Sequence, residues 1–270
     1  MPTSLSSRNH TAAIETAGSR LADLADAAGE ETKVPTCPAW NVRALVAHQT
    51  MVHRWAAAHI TGSDPAALPS QTETSDSVDD LHGYYREGLR RLLEALDAAP
   101  DDLAAMTFLN DAPAPRAFWA RRQAHETTVH MIDALSATLG RVPTTNEAAI
   151  DRDLALDGID ELLAGFFTRG RSKLFDGEAF TMLVSPDDSE RQWHIQVAET
   201  LTISAEPTRP PRLSISGTAA TIYLGLWNRG EQLTLNGDTT PRNNSATSTN
   251  PQRSSGPQTT GQCRDATASS

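Results

Sequence analysis

Between His10 and Ala28 the apolar residues Ile14, Ala17, Leu21, Leu24 and Ala27 recur three or four positions apart, the period of an amphipathic helix. The following stretch, GEETKVPTCPAW, carries two prolines, which cannot continue a helix interior. Asn41 is placed as an N-cap, and Val42, Leu45, Val46, Met51, Val52 and Trp55 predict a second helix reaching about Ile60. TGSDPAALPSQTETSD is rich in turn formers and reads as a loop. Ser77 to Leu96 predicts a third helix, with Leu81, Tyr84, Tyr85, Leu89, Leu92 and Leu93 on its apolar side. A fourth runs from about Arg116 to Leu139 and stops at Gly140, a residue suited to the left-handed position after a helix. These elements predict an N-terminal all-α, antiparallel four-helix bundle.

The pattern changes after GRVPTTNEAAIDRD. Leu154 to Phe167 reads as helix, and EAFTMLVS, RQWHIQVAE and PRLSISG then alternate with the period of two that strands show. Thr218 can cap a short helix, AATIYLGLWNR, ended by Gly230, and QLTLNG is a candidate last strand. A smaller α+β domain over residues 144–238 is therefore expected after a bundle over 1–143, with the boundary near Pro143. From residue 239 onward the sequence is Ser-, Thr-, Asn- and Pro-rich and holds no Leu, Ile, Val, Met or aromatic residue. Such a segment cannot bury enough apolar surface to offset its ordering entropy, so a disordered tail is expected.

Bulk properties narrow the function classes. No apolar run approaches the roughly 18 residues of a spanning helix, and the N-terminus lacks the basic-then-apolar plan of a secretory signal. The two cysteines, Cys37 and Cys263, make a disulfide framework an unattractive reading and fit a reducing cytoplasm. A formal charge of −11 argues against nucleic-acid backbone binding. A small anionic partner stays open, because a local arginine can outweigh a weak global field.

Within RRQAHETTVHMIDAL, Glu126 and His130 lie four apart and so share one face of the predicted helix. A carboxylate and an imidazole at that spacing can reach one cation, although the pair alone is common by chance. His48, in mid-helix beside Leu45, Val46 and Val52, is the best third ligand. Two histidines and a carboxylate suit Zn²⁺ with an open fourth position, the plan of catalytic rather than structural zinc, and related divalent ions also fit. His125, five residues from His130 and roughly 140° around the helix, reads as a packing residue or one that steadies a ligand by hydrogen bonding. His53 and His59 read as facing solvent. Cys37 is given no chemical role, and Trp40 and Trp55 read as packing anchors.

VPTCPAWNVRALVAHQTMVHRWAAA resembles the first signature of the mycothiol-dependent maleylpyruvate isomerase family, Val-Pro-x-Cys-Pro-x-Trp-x-Val-x-x-Leu-Val-x-His. FWARRQAHETTVHMIDAL resembles its Arg-x-x-x-His-Glu-x-x-x-His-x-x-Asp pattern, and ISGTAATIYLGLWNRG its C-terminal segment ending Trp-x-Arg. The resemblance implies a DinB-like metal-binding bundle with His48, Glu126 and His130 as ligands. It also implies mycothiol, a small thiol of actinobacteria, as cosubstrate. The implied reaction adds a metal-activated thiolate to a small, anionic electrophile, giving cis–trans isomerisation or, without elimination, S-transfer. Arg229 matches a family arginine that would steady the developing enolate; Arg54, Arg121 and Arg122 could serve instead. The chain departs from the family pattern at NGDTTPRNNSATSTN, where a further ordered helix is expected. Two other classes are weighed: a sterol-carrier-like module holding apolar ligands, and a zinc-containing regulator, which the lack of any Cys-x-x-Cys disfavours.

Overall fold

The structure, a computed structural model, describes residues 5–237 apart from 205, 208 and 231. The expected disordered tail and Cys263 lie outside the described residues. Helix α1 (Ser7–Ala28) starts at Ser6, whose hydroxyl accepts the Asn9 backbone N–H while the Asn9 side chain accepts from Ser6 in return. Helix α2 (Val42–Thr61) is capped by Asn41, whose side chain accepts the Ala44 N–H at 2.9 Å, and ends at Gly62 with φ of 73°. The stretch read as a loop instead holds a further helix, α3 (Gln71–Ser77). Its cause is local: Ser70 and Glu73 form a reciprocal capping box, satisfying two donors that would otherwise be orphaned. Helix α4 (Leu81–Ala98) begins later than expected because Asp80 takes the cap, accepting the Gly83 N–H at 2.9 Å. Helix α5 runs Pro115–Leu139 and is terminated by Gly140 with φ of 67°.

Helix α1 packs along α5, and α2 along α4. A short α6 (Thr145–Ala148) and α7 (Arg152–Asp160) follow, and α7 continues as a π-helical turn over Glu161–Phe166. The second half is a five-stranded sheet of order β3-β2-β1-β4-β5. Its strands are β1 (Phe180–Pro186), β2 (Trp193–Val197), β3 (Leu201–Ser204), β4 (Leu213–Gly217) and β5 (Thr234–Gly237). Strand β1 is antiparallel to β2 and parallel to β4. Helix α8 (Ala219–Leu226), capped by Thr218 as expected, ends before Gly230. The α+β character is as anticipated; β3, only four residues long, was not.

One cluster of buried apolar side chains continues from Leu21, Leu45 and Ile132 in the helices to Val184, Ile195 and Ile215 in the sheet. Contact between α7 and its neighbours needs a glycine. A Cβ on Gly158 would lie 2.2 Å from the Tyr223 ring and 2.8 Å from His125.

Helix α5 is buried on every side from Phe118 to Ala137. A helix buried all round is normally apolar, yet this one carries Arg121, Arg122, His125, Glu126, His130 and Asp133. Charges placed there must be paired or ligated. Their partners define the site.

Candidate metal centre

Among the described residues, two groups bring ligand atoms within 4.8 Å of one another: His48, Glu126 and His130, and His10, His125 and Asp157. In the first, Glu126 Oε1 lies 3.5 Å from His48 Nε2 and 3.2 Å from His130 Nε2. The i, i+4 spacing on α5 supplies two members, and α2 brings the third across the bundle. All three side chains are buried.

Each member is also held from behind. His130 Nδ1 donates to Asp133 Oδ2 at 2.8 Å, so Nε2 is the nitrogen turned to the centre. Gln71 Nε2 donates to the Ala44 carbonyl at 3.2 Å, which turns Gln71 Oε1 toward His48 Nδ1 at 3.3 Å. An acceptor at that point can hold a proton on His48 Nδ1, so that Nε2, which meets Glu126 Oε1 in the metal-free protein, would present its lone pair to a cation. Glu126 Oε2 accepts from Arg122 Nη2 at 2.8 Å. Outer partners of this kind accompany metal-bound histidines and carboxylates. Two inward Nε2 atoms and one carboxylate oxygen therefore fit a divalent cation. Trp40 lies against both imidazoles, 5.8 Å from the His130 ring and 4.8 Å from His48, so it is a wall of this centre as well as a packing anchor.

Electrostatics agrees. Burial opposes the charged form of Glu126, but hydrogen bonds from His130 and His48 and the Arg122 guanidinium outweigh it and hold the carboxyl well below its ordinary range. Burial likewise opposes a charged His130, but Asp133 and Glu126 push its pKa up to about 9.

The second group is built differently. Asp157 Oδ2 accepts from His10 Nε2 at 3.0 Å, His125 Nε2 at 2.9 Å and Arg121 Nε at 3.0 Å. A guanidinium already occupies the oxygen that a cation would need, so this cluster works as a clasp joining α1, α5 and α7. Asp160 extends it to the sheet, accepting from Trp193 Nε1 at 2.9 Å and Arg191 Nη2 at 3.0 Å.

His125 was expected to steady a ligand or pack; it packs into this clasp. It sits about 100° from Glu126 around the helix, which turns its ring away from the centre and onto Asp157 and Tyr223. His53 does not face solvent: it is fully buried, with Nε2 2.9 Å from Thr127 Oγ1 and 2.8 Å from Gln49 Nε2. His59 stacks on Trp119 and is part-buried. The arginines are engaged too. Arg229 binds Asp133, Arg121 binds Asp157 and Asp160, and Arg54 lies 3.5 Å over the Tyr84 ring. Gln71 and Asp157 were not singled out in the sequence, and Asp133, the last position of the His-Glu-x-x-x-His-x-x-Asp pattern, was given no role there. For Asp133 the signal was its i+3 spacing from His130; for the others the partner lies far along the chain.

A helical bundle that gathers such a donor set, joined to an α+β domain, defines a metal-assisted enzyme of two parts. Residues 11–135 match the model of the mycothiol maleylpyruvate isomerase N-terminal domain, and residues 153–241 that of the MDMPI C-terminal domain. The chain belongs to the mycothiol-dependent maleylpyruvate isomerase family, and with it to the thiol-dependent isomerases and transferases. Two solved structures share the fold. One is a histidine-to-alanine mutant of the mycothiol-dependent maleylpyruvate isomerase, at TM-score 0.64 and 15% identity, covering 89% of this chain and 98% of that one. The other is that isomerase unmutated, at TM-score 0.61 and 16% identity with the same coverage. No curated protein matches the chain in sequence. Among the described residues no helix is long and apolar enough to cross a membrane.

Proposed function

We propose that His48, Glu126 and His130 hold one divalent cation, zinc by donor set, and that the protein joins the thiol of mycothiol to a small anionic electrophile. A zinc ion bound there would lower the pKa of a coordinated thiol so that thiolate is present near neutral pH. The observation that carries this reading is the convergence of two Nε2 atoms on Glu126 Oε1, each imidazole fixed by an acceptor at Nδ1. Thiolate addition to an electron-poor cis double bond gives a rotatable single bond; elimination after rotation is isomerisation, and retention of sulfur is S-transfer.

The protein's own part is to bind and orient. His130 is kept rigid by Asp133, and Trp40 walls the centre with an aromatic face. Arg229 is the guanidinium assigned to the anionic end of the substrate. Its side chain is 11% exposed, against 6% for Arg121 and 2% for Arg122. A domain boundary near Pro143 and a cytoplasmic location belong to the same reading.

The carrier alternative meets a packing objection. The apolar space beneath the sheet, among Leu163, Met182, Val184, Ile195 and Ile215, measures about 20 Å³, below the roughly 300–1,000 Å³ of ligand pockets. The cavity of about 710 Å³ beside Trp193 and Ile203 is lined by the charged Asp160, Glu190 and Arg191. Elemental analysis of the purified protein, paired with a screen of electrophiles with and without mycothiol, tests the proposal. Stoichiometric zinc and turnover that needs both thiol and metal are expected. Metal retained in a His48→Ala/Glu126→Ala double variant would contradict it.

A further inference from the structure

Glu126 has two carboxylate oxygens, and only Oε1 faces the imidazoles. Its Oε2 takes a 2.8 Å hydrogen bond from Arg122 Nη2, one turn back on α5. Arg122 is itself 1% exposed and is fixed from the far side. Its Nη1 donates to Glu161 Oε2, on the π-helical turn that follows α7. The guanidinium also lies over the rings of Phe166 and Trp227, 5.2 and 5.5 Å from their centroids. Burying a guanidinium this deeply is costly unless both sides are paired, and here both sides are.

The chemistry of a carboxylate ligand gives this arrangement a consequence. Unrestrained, a glutamate can chelate a cation through both oxygens and so consume a coordination position that catalysis needs open. With Oε2 claimed by Arg122, Glu126 has one oxygen to offer. We propose that Arg122 is a positioning residue: it restricts Glu126 to one-oxygen ligation and preserves the open position, and Glu161 extends this control to the second half of the chain. The inference rests on the metal reading above. It also gives Arg122 a part other than meeting the substrate.

Zinc affinity, measured by chelator competition, tests this in Arg122→Lys and in an Arg122→Met/Glu161→Gln double variant. The double variant also removes the Glu161 charge that the single change would strand, so it covers the case in which the single change fails to fold. Each is measured in the native and the Glu126→Gln background, with the visible spectrum of the Co²⁺-loaded protein recorded alongside. If Arg122 acts through Glu126, zinc affinity shifts about 10-fold or more in the native background, because Oε2 is freed to join the cation. In the Glu126→Gln background the same changes have little effect, and the native-background Co²⁺ spectrum weakens as coordination number rises. Equal changes in both backgrounds, or a Co²⁺ spectrum unchanged in the native one, overturn the proposal. A His48→Ala control separates the two readings. If it loses zinc while the Arg122 variants keep the native Co²⁺ spectrum, only this inference falls; if it binds zinc as tightly as the native protein, the metal reading falls as well.

Discussion

Arg229 grips Asp133 with two parallel hydrogen bonds, Nε to Oδ1 and Nη2 to Oδ2, both 2.9 Å. The same Oδ2 receives His130 Nδ1. An arginine from the end of α8 thus holds a carboxylate on α5 that in turn holds a candidate ligand. Removing Arg229 leaves the buried Asp133 carboxylate with Thr36 and His130 as donors but without its guanidinium. We expect Arg229→Ala to lose about 3–5 kcal/mol of stability in urea titration and to weaken zinc binding. Arg229→Lys should retain more of both, while kcat/KM falls more for an anionic electrophile than for a neutral one. Equal effects on the two substrates would reject a direct role toward the anion.

Asp133→Asn removes the charge that His130 and Arg229 share. The amide can still accept from Nδ1 but no longer favours a basic imidazole. Zinc affinity should fall roughly tenfold or more with little change in the far-ultraviolet circular dichroism. Native affinity in this variant would leave Asp133 a purely structural residue.

His53 supplies an acid-sensitive element. Burial pushes its pKa down from 6.5 to about 3, only partly opposed by Glu126. A depressed pKa means that its stabilising contribution is complete above pH 6.5 and is lost as pH falls toward 3, because the unfolded chain takes up a proton that the folded one refuses. The group's share of the slope is about 1.4 kcal/mol per pH unit in that window. Urea titrations of native protein and His53→Gln at several pH values should diverge there and run parallel above. Parallel curves throughout would show that the ring is not held neutral.

Gly158 offers a packing test. A methyl at 2.2 Å from Tyr223 Cε2 cannot be accommodated without moving α8 or α7. Gly158→Ala should destabilise by about 1–3 kcal/mol, despite alanine's higher helix propensity. A stabilised variant would mean that α7 and α8 pack with slack.

What the sequence made readable was whatever depends on near neighbours. The Asn41 cap, the stop at Gly140 and the stacking of Glu126 under His130 each follow from spacings of four or less, and the structure has all three. Even the missed helix α3 carried its Ser70–Glu73 box in plain sight; the Pro-rich residues before it pointed the reading to loop. The direction of His125 was hidden, because a helix buried on all sides has no polar face to set orientation, and that of His53 because Thr127, which it meets, lies on another helix. His10 and Asp157 were hidden for another reason: they meet from opposite ends of the chain, and no local pattern reports such a pairing.

The last prediction concerns the proton on His130. In the metal-free protein burial disfavours its charge, yet Asp133 and Glu126 raise the pKa to about 9. A raised pKa stabilises the metal-free fold fully below 6.5, and that share is lost as pH rises through 9. Metal ligation has the opposite sense, since Nε2 must give up its proton before it can bind. Zinc titration at pH 7 should therefore release about one proton from this site, read by calorimetry in two buffers of different ionisation enthalpy. Apparent affinity should climb about tenfold per pH unit up to the region of 9. Chelated protein should meanwhile lose stability between pH 6.5 and 9, while the loaded protein, with no proton on His130 either folded or unfolded in that range, should stay level. Zinc uptake without proton release would remove His130 from the ligand set.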